Sequence, residues 1–183
     1  MILETKRLIL RELQESDFKA VHAYGADPEV VVYMPFGPNT KDDTKEYLKR
    51  VLNQQKEQPR IVYTLALVRR EDNKLIGSCS ILVRSESNKE AEMGYILNRS
   101  YWNHGYITEA AKRLLRFGFE QLGLHRIYAT CDPANVASFK VMEKIGMKRE
   151  GLLRQHKLQK GKWRDSFLYS ILEQEMTFTE QKN

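Results

Sequence analysis

The chain switches between two hydrophobic periods, and the switches mark its elements. Residues 7–13 (RLILREL) place apolar and polar side chains in turn, which predicts a first strand. Ser16 or Asp17 then opens a helix whose apolar positions are Phe18, Val21 and Tyr24 and which ends near Gly25. The next stretch, PEVVVYMPFGP, has two prolines and a glycine after its apolar run and predicts a short helix leading into a loop. Thr40 starts a second helix, TKDDTKEYLKRVLNQQKEQ, acidic in its first turn and basic beyond it, as the helix dipole favours.

Two strands, residues 61–69 and 75–83, meet at the turn Glu71-Asp72-Asn73, and a third covers residues 90–97. From about 105 to 122 the period becomes helical, with Ile107, Ala110, Ala111, Leu114, Leu115, Gly118 and Leu122 on one stripe. Residues 125–131 predict a strand, 135–145 a helix, and 147–158 with 163–173 a strand pair around Lys160-Gly161-Lys162. The order β-α-α-β-β-β-α-β-α-β-β predicts a mixed α+β fold, mostly antiparallel, with one βαβ crossover.

Composition narrows the class. The 183 residues suit one globular domain over 1–183, long enough to bury a core. No run of eighteen apolar residues occurs, and the first residues lack an apolar leader segment, so a cytoplasmic protein without a membrane span is expected. Cys79 and Cys131 sit in strand-like runs without CxxC or HxxxH spacing; core packing is expected for both, and no metal. The net charge of +6 is local: seven cations against Glu150 alone between residues 148 and 164 account for all of it. That segment reads either as a solvated hairpin or as a surface facing an acidic ligand or RNA.

Chemistry concentrates in two segments. In EMGYILNRSYWNHGYITEA, a strand ends at Leu97 and a polar loop with Gly105 runs into a helix start. The first backbone N–H groups of a helix have no internal partner and attract anions, and a glycine lets a phosphate come close. In DPANVASFKVMEKIGM, Asn135 and Ser138 fall in the first turn of another helix, where by composition alone Asn135 reads as the N-cap and Ser138 as a satisfied first-turn hydroxyl.

Together, WNHGYITEA and NVASFKVMEKIGM resemble the two signature segments of the GNAT (GCN5-related N-acetyltransferase) superfamily. With the opening TKRLILRELQESDF and the closing KGKWRDSFLYSIL, the chain is similar to the branch that acetylates N-termini of ribosomal proteins. The resemblance covers almost the whole chain and is poorest between about residues 30 and 59.

It implies a central mixed sheet of about seven strands with helices on both faces, acetyl-CoA as cosubstrate without a metal, and transfer to a primary amine by direct attack in a ternary complex. The loop of Asn103, His104 and Gly105, with Tyr106, Ile107 and Thr108 at the helix start, would hold the pyrophosphate. Trp102 stands where the family has Gln or Arg, Asn103 replaces a glycine, and Ile107 replaces a small residue; Asn tolerates the left-handed backbone that such a loop needs. Tyr95, Ile96 and Leu97 would hold the pantetheine arm, and Gly94 is a candidate site for a bulge in that strand. Asn135 would contact the cofactor's amides. Met142 occupies the position of the family's acid tyrosine, so the implied thiolate donor is Ser138.

Glu92 is the candidate base, directly or through water; the alternative is a strand carboxylate that faces solvent or pairs with a lysine. Asp165 would hold the acceptor or, as the preferred reading, brace the last hairpin, and the segment with Tyr33 and Phe36 would wall the acceptor site. The implied acceptor is a protein N-terminal amine, with ribosome contact through the basic hairpin. A small-molecule amine and a non-catalytic acetyl-CoA-binding module are the alternatives, as monomer or homodimer.

Overall fold

The computed structural model describes residues 1–176, so the last seven residues of the expected domain lie outside the described residues. The elements run β1 (Ile2–Glu4), β2 (Leu8–Glu12), α1 (Phe18–Gly25), α2 (Lys41–Gln54), β3 (Val62–Arg69), β4 (Leu75–Ser85), β5 (Glu90–Leu97), α3 (Tyr106–Glu120), β6 (Arg126–Cys131), α4 (Val136–Lys144), β7 (Lys148–Gln159) and β8 (Lys162–Leu172). They form one eight-stranded sheet in the order β1-β2-β3-β4-β5-β6-β8-β7. The eighth strand is β1, which pairs with β2 across a turn where Thr5 binds Leu8 through both backbone and side chain.

Both faces are covered. Alternation in β3 sends Leu65 and Leu67 to the face under α3 and α4, and Ala66 and Val68 to the face under α1 and α2. The first face holds the larger core, with Leu114 and Leu115 of α3 fully buried. Each such leucine contributes about 1.5–3 kcal/mol by leaving water. Gly118 is what lets α3 sit so low, because a Cβ there would lie 2.6 Å from Ile127 Cδ1.

The start of α2 follows expectation. Thr40 Oγ1 accepts from Asp43 N at 3.1 Å while the Asp43 carboxylate accepts from Thr40 N at 2.8 Å, a reciprocal cap. The start of α1 does not. A 3-10 turn, Glu15–Asp17, precedes it, and Asp17 is turned inward to pair with Arg11 at 2.7 Å instead of capping the helix. Residues 28–38 form turns and no helix, although Val31 there is fully buried.

One register defines the rest. β5 and β6 pair in parallel only at Glu90↔Arg126, Ala91↔Ile127 and Glu92↔Tyr128. Beyond that point β5 continues to Leu97 alongside β4, while β6 continues to Cys131 alongside β8. The sheet therefore splits, and one edge of residues 93–97 has no strand beside it. No register shift falls at Gly94, which pairs regularly with Ser80; the irregularity between β4 and β5 is at Val83/Ser85. The expected bulge at Gly94 is corrected accordingly.

Candidate active site

The split is bounded on one side by the loop into α3. Asn103 (φ 62°) and Gly105 (φ 75°) are both left-handed, so the substituted asparagine adopts the backbone its residue type allows. Trp102 folds back and its indole Nε1 donates to the terminal carbonyl of β5, Leu97 O, at 2.9 Å. Arg7 braces the loop from outside: it donates to His104 O at 2.9 Å and pairs with Glu109 at 2.6 Å. Among the described residues, no acceptor is found for the backbone N–H groups of Asn103, His104, Gly105, Tyr106, Ile107 and Thr108. Six successive donors at a helix N-terminus suit a pyrophosphate, and the bare edge of β5 suits an extended chain of amides; the residues present fit acetyl-CoA.

α4 closes the far side. Asn135 caps it, its side-chain oxygen accepting from Ser138 N at 3.2 Å, while its amide nitrogen has no acceptor among the described residues. The Ser138 hydroxyl lies 3.1 Å from Tyr95 OH, which reaches over from β5 and also donates to Ser138 O at 3.0 Å. Burial pushes the Tyr95 phenol well above its ordinary range, against the opposing effect of the Ser138 contact. Cys131 ends β6 nearby, its thiol pushed up to about 11 by burial. Met142 is buried and supplies no donor.

A cavity of about 580 Å³ opens between α1, α2 and the same stretch of β5. Its lining includes Tyr24, Tyr47, Ser78, Ser80, Gly94 and Tyr95, with Phe36 from the loop between α1 and α2. Tyr24 OH donates to Ser78 Oγ at 3.3 Å in the interior. Tyr33 does not join this wall; it binds Ala134 O at 3.2 Å across the split. The same loop is tied down twice more, by Arg99 to Asp27 and Glu29 and by Lys160 Nζ to Val31 O at 2.8 Å.

Glu92 stands on the Gly94 face of β5, two residues nearer the hinge of the split. It lines a separate concavity of about 380 Å³, where Arg84 binds one carboxylate oxygen at 2.5 Å and Lys157 approaches the other at 3.6 Å. Of the sequence-derived candidates, Ser138, Asn135, Tyr95 and the Asn103–Thr108 backbone thus border the split, whereas Glu92 sits at its closed end in an ion-pair network. Asp165 accepts from Gln155 N at 2.8 Å and braces the last hairpin. Sequence reasoning missed the Tyr95 side chain, Arg7 and the capping role of Trp102. Their partners are distant along the chain or, for Trp102, set by a loop with no regular period.

A run of unpaired backbone donors continuous with an open strand edge, beside a cavity of about 580 Å³, is an arrangement that suits a phosphate-bearing acyl donor. Residues 7–148 match the acetyltransferase (GNAT) domain, and the chain belongs to that family of acetyl-CoA-dependent acyltransferases. It is 36% identical over 175 residues to YnaD, an uncharacterised N-acetyltransferase of Bacillus subtilis, covering 96% of this chain and 99% of that one. A GNAT-family acetyltransferase structure from Bacillus anthracis superposes with a TM-score of 0.84 at 35% identity, covering 96% of this chain and all of that chain. Two neighbours share the fold alone. One is a ribosomal-protein-S5-alanine acetyltransferase from Vibrio fischeri (TM-score 0.83, 21% identity, 97% and 99% covered). The other is a spermidine N-acetyltransferase from Vibrio cholerae solved with CoA and spermine (TM-score 0.80, 20% identity, 93% and 98% covered).

Proposed function

We propose that this GNAT enzyme acetylates an amine of low pKa, foremost the N-terminal α-amine of a protein of the ribosomal type. The observation that carries this is the lining of the acceptor cavity. Beside Gly94 and Tyr95 it presents the hydroxyls of Tyr24, Ser78 and Ser80, while its carboxylates, Asp43 and Glu46, come from the exposed first turns of α2. Among the described residues no strong base lines this cavity, which favours an acceptor that loses its proton readily. An α-amine with pKa near ~8 does so at neutral pH, whereas a lysine or polyamine nitrogen near ~10.4 does so far less.

Acetyl-CoA supplies an acyl group already activated as a thioester. The backbone N–H groups of residues 103–108 would hold its pyrophosphate, the open edge of Tyr95, Ile96 and Leu97 its pantetheine arm, and Asn135 Nδ2 an amide carbonyl. Ser138 would give a hydrogen bond to the leaving sulfur. Glu92, held by Arg84 and Lys157, would take the amine proton through water. A second reading, a small low-pKa amine, is favoured by the cavity's 580 Å³, which is enough to enclose a whole small ligand. A peptide carrying both a free α-amine and an internal lysine tests the proposal, with the acetyl group located by mass spectrometry. Acetylation confined to the α-amine is expected; preferential modification of the lysine would overturn the reading.

A further inference from the structure

We infer that the Tyr95 side chain, beyond its backbone, serves acetyl transfer: its hydroxyl is a positioning group that aims the Ser138 hydroxyl at the departing sulfur. The inference rests on the role proposed for Ser138.

Tyr95 stands on β5 where the sheet has already opened, and its ring crosses the split to the first turn of α4. There its hydroxyl meets one residue twice, at 3.0 Å from Ser138 O and 3.1 Å from Ser138 Oγ, across 43 positions of sequence. A carbonyl oxygen only accepts. In one arrangement, therefore, Tyr95 donates to Ser138 O and the serine proton points to Tyr95. In the other, Tyr95 donates to Ser138 Oγ, and the serine proton is released toward the split. The two differ by hydroxyl rotation alone, and the second polarises the serine hydrogen in the direction a thiolate would need.

No other hydroxyl reaches Ser138 Oγ among the described residues; the Cys131 thiol, which burial keeps protonated, is its other side-chain neighbour, and Met142, where the family places a tyrosine, is buried thioether. Tyr95 therefore supplies from the strand what α4 lacks. It transfers no proton itself: the amine loses one, the sulfur gains one, and the tyrosine keeps its own.

Tyr95→Phe retains the ring, so the melting temperature serves as the check that the fold is intact. The expected result is a loss of about tenfold in kcat, with KM for acetyl-CoA within about twofold, the kinetic weight of one hydrogen bond. Tyr95→Phe added to Ser138→Ala should cost nothing further. A readout independent of turnover is the thiol pKa of bound CoA, titrated by thiolate absorbance. A donor to the thiolate lowers that pKa, so either single variant should raise it to the same degree and the double variant no more. Unchanged kcat and thiol pKa in Tyr95→Phe would overturn the inference, as would losses that multiply in the double variant. If Ser138→Ala itself changes neither quantity, the serine assignment fails first, and Tyr95→Phe then separates the two failures.

Discussion

Two non-adjacent left-handed residues decide how the loop before α3 shows its backbone. Asn103 and Gly105 turn the chain so that six N–H groups find no acceptor among the described residues, and Arg7 fixes the result from behind. Gly105 and Ser138 were legible in the sequence, because a glycine before a helical stripe and a hydroxyl in a first turn are local signals. For Glu92, pairing with a lysine was the stated alternative, but which partners it meets was not legible. Arg84 reaches it across a hairpin, and Lys157 comes from a strand placed beside it only by the fold. Tyr95 was legible as a strand residue but not as a partner of α4.

Burial at single residues also fixes a pH response. The Cys79 thiol is pushed up to about 12 and the Cys131 thiol to about 11, each chiefly because the apolar interior disfavours a thiolate. A pKa raised in the folded state contributes stability that is complete below the unfolded value, near ~8.5, and is lost as pH rises through the folded one. Urea midpoints should therefore fall between about pH 8.5 and 11. Cys79→Ala should start less stable yet lose less over that interval; an unchanged slope would count against the thiols as the cause.

At the scale of elements, β4 and β5 carry two glycines with opposite roles. A Cβ on Gly77 would stand 2.3 Å from Ile96 O, a backbone atom with no freedom to retreat. Gly77→Ala should cost about 2–4 kcal/mol or prevent folding, as overpacking against a strand does. A Cβ on Gly94 would meet only Ser80 Oγ, at 3.6 Å, and would project beside the acceptor cavity. Gly94→Ala should keep its urea midpoint within about 1 kcal/mol of stability while losing about tenfold in kcat/KM for the amine. If the two variants were equally unstable, or Gly94→Ala fully active, the placement of the cavity beside the reacting strand would be wrong.

The elements themselves were largely readable. β3, β5 and α3 announce themselves by period, and the Thr40 cap by its residues. The split was not, since nothing in the strand sequences shows that β5 and β6 stay paired for only three residues. Asp17 looked like a cap but is recruited by Arg11, a tertiary pairing that outweighs local preference.

For the molecule as a whole, charge proves a poorer guide than topology. Five of the seven cations in the last hairpin have partners: Lys148 pairs with Glu175, Lys157 with Glu92, Arg164 with Asp132, Lys160 with Val31 O, and Arg149 lies over Phe167. Only Arg154 and Lys162 have none among the described residues, so most of these cations also have a contact within the fold. The loop between α1 and α2, which the resemblance covered poorly, is fastened from outside by Arg99 and Lys160, and its own Tyr33 reaches across to Ala134 O. It contributes Met34, Phe36 and Asn39 to the lining of the cavity proposed for the acceptor, so under that proposal the least familiar part of the chain bears on acceptor choice.

The most direct test of the central claim is CoA release from acetyl-CoA against a graded panel of acceptors. The panel holds peptides beginning with Ala, Ser or Met, lysine peptides with blocked N-termini, aminoglycosides and polyamines, with wild type and Ser138→Ala compared throughout. The account predicts release with free N-terminal peptides, cut by about tenfold or more in Ser138→Ala, and little with blocked lysine peptides or polyamines. Release with polyamines or blocked lysine peptides ahead of α-amines would contradict it, as would full activity without the Ser138 hydroxyl.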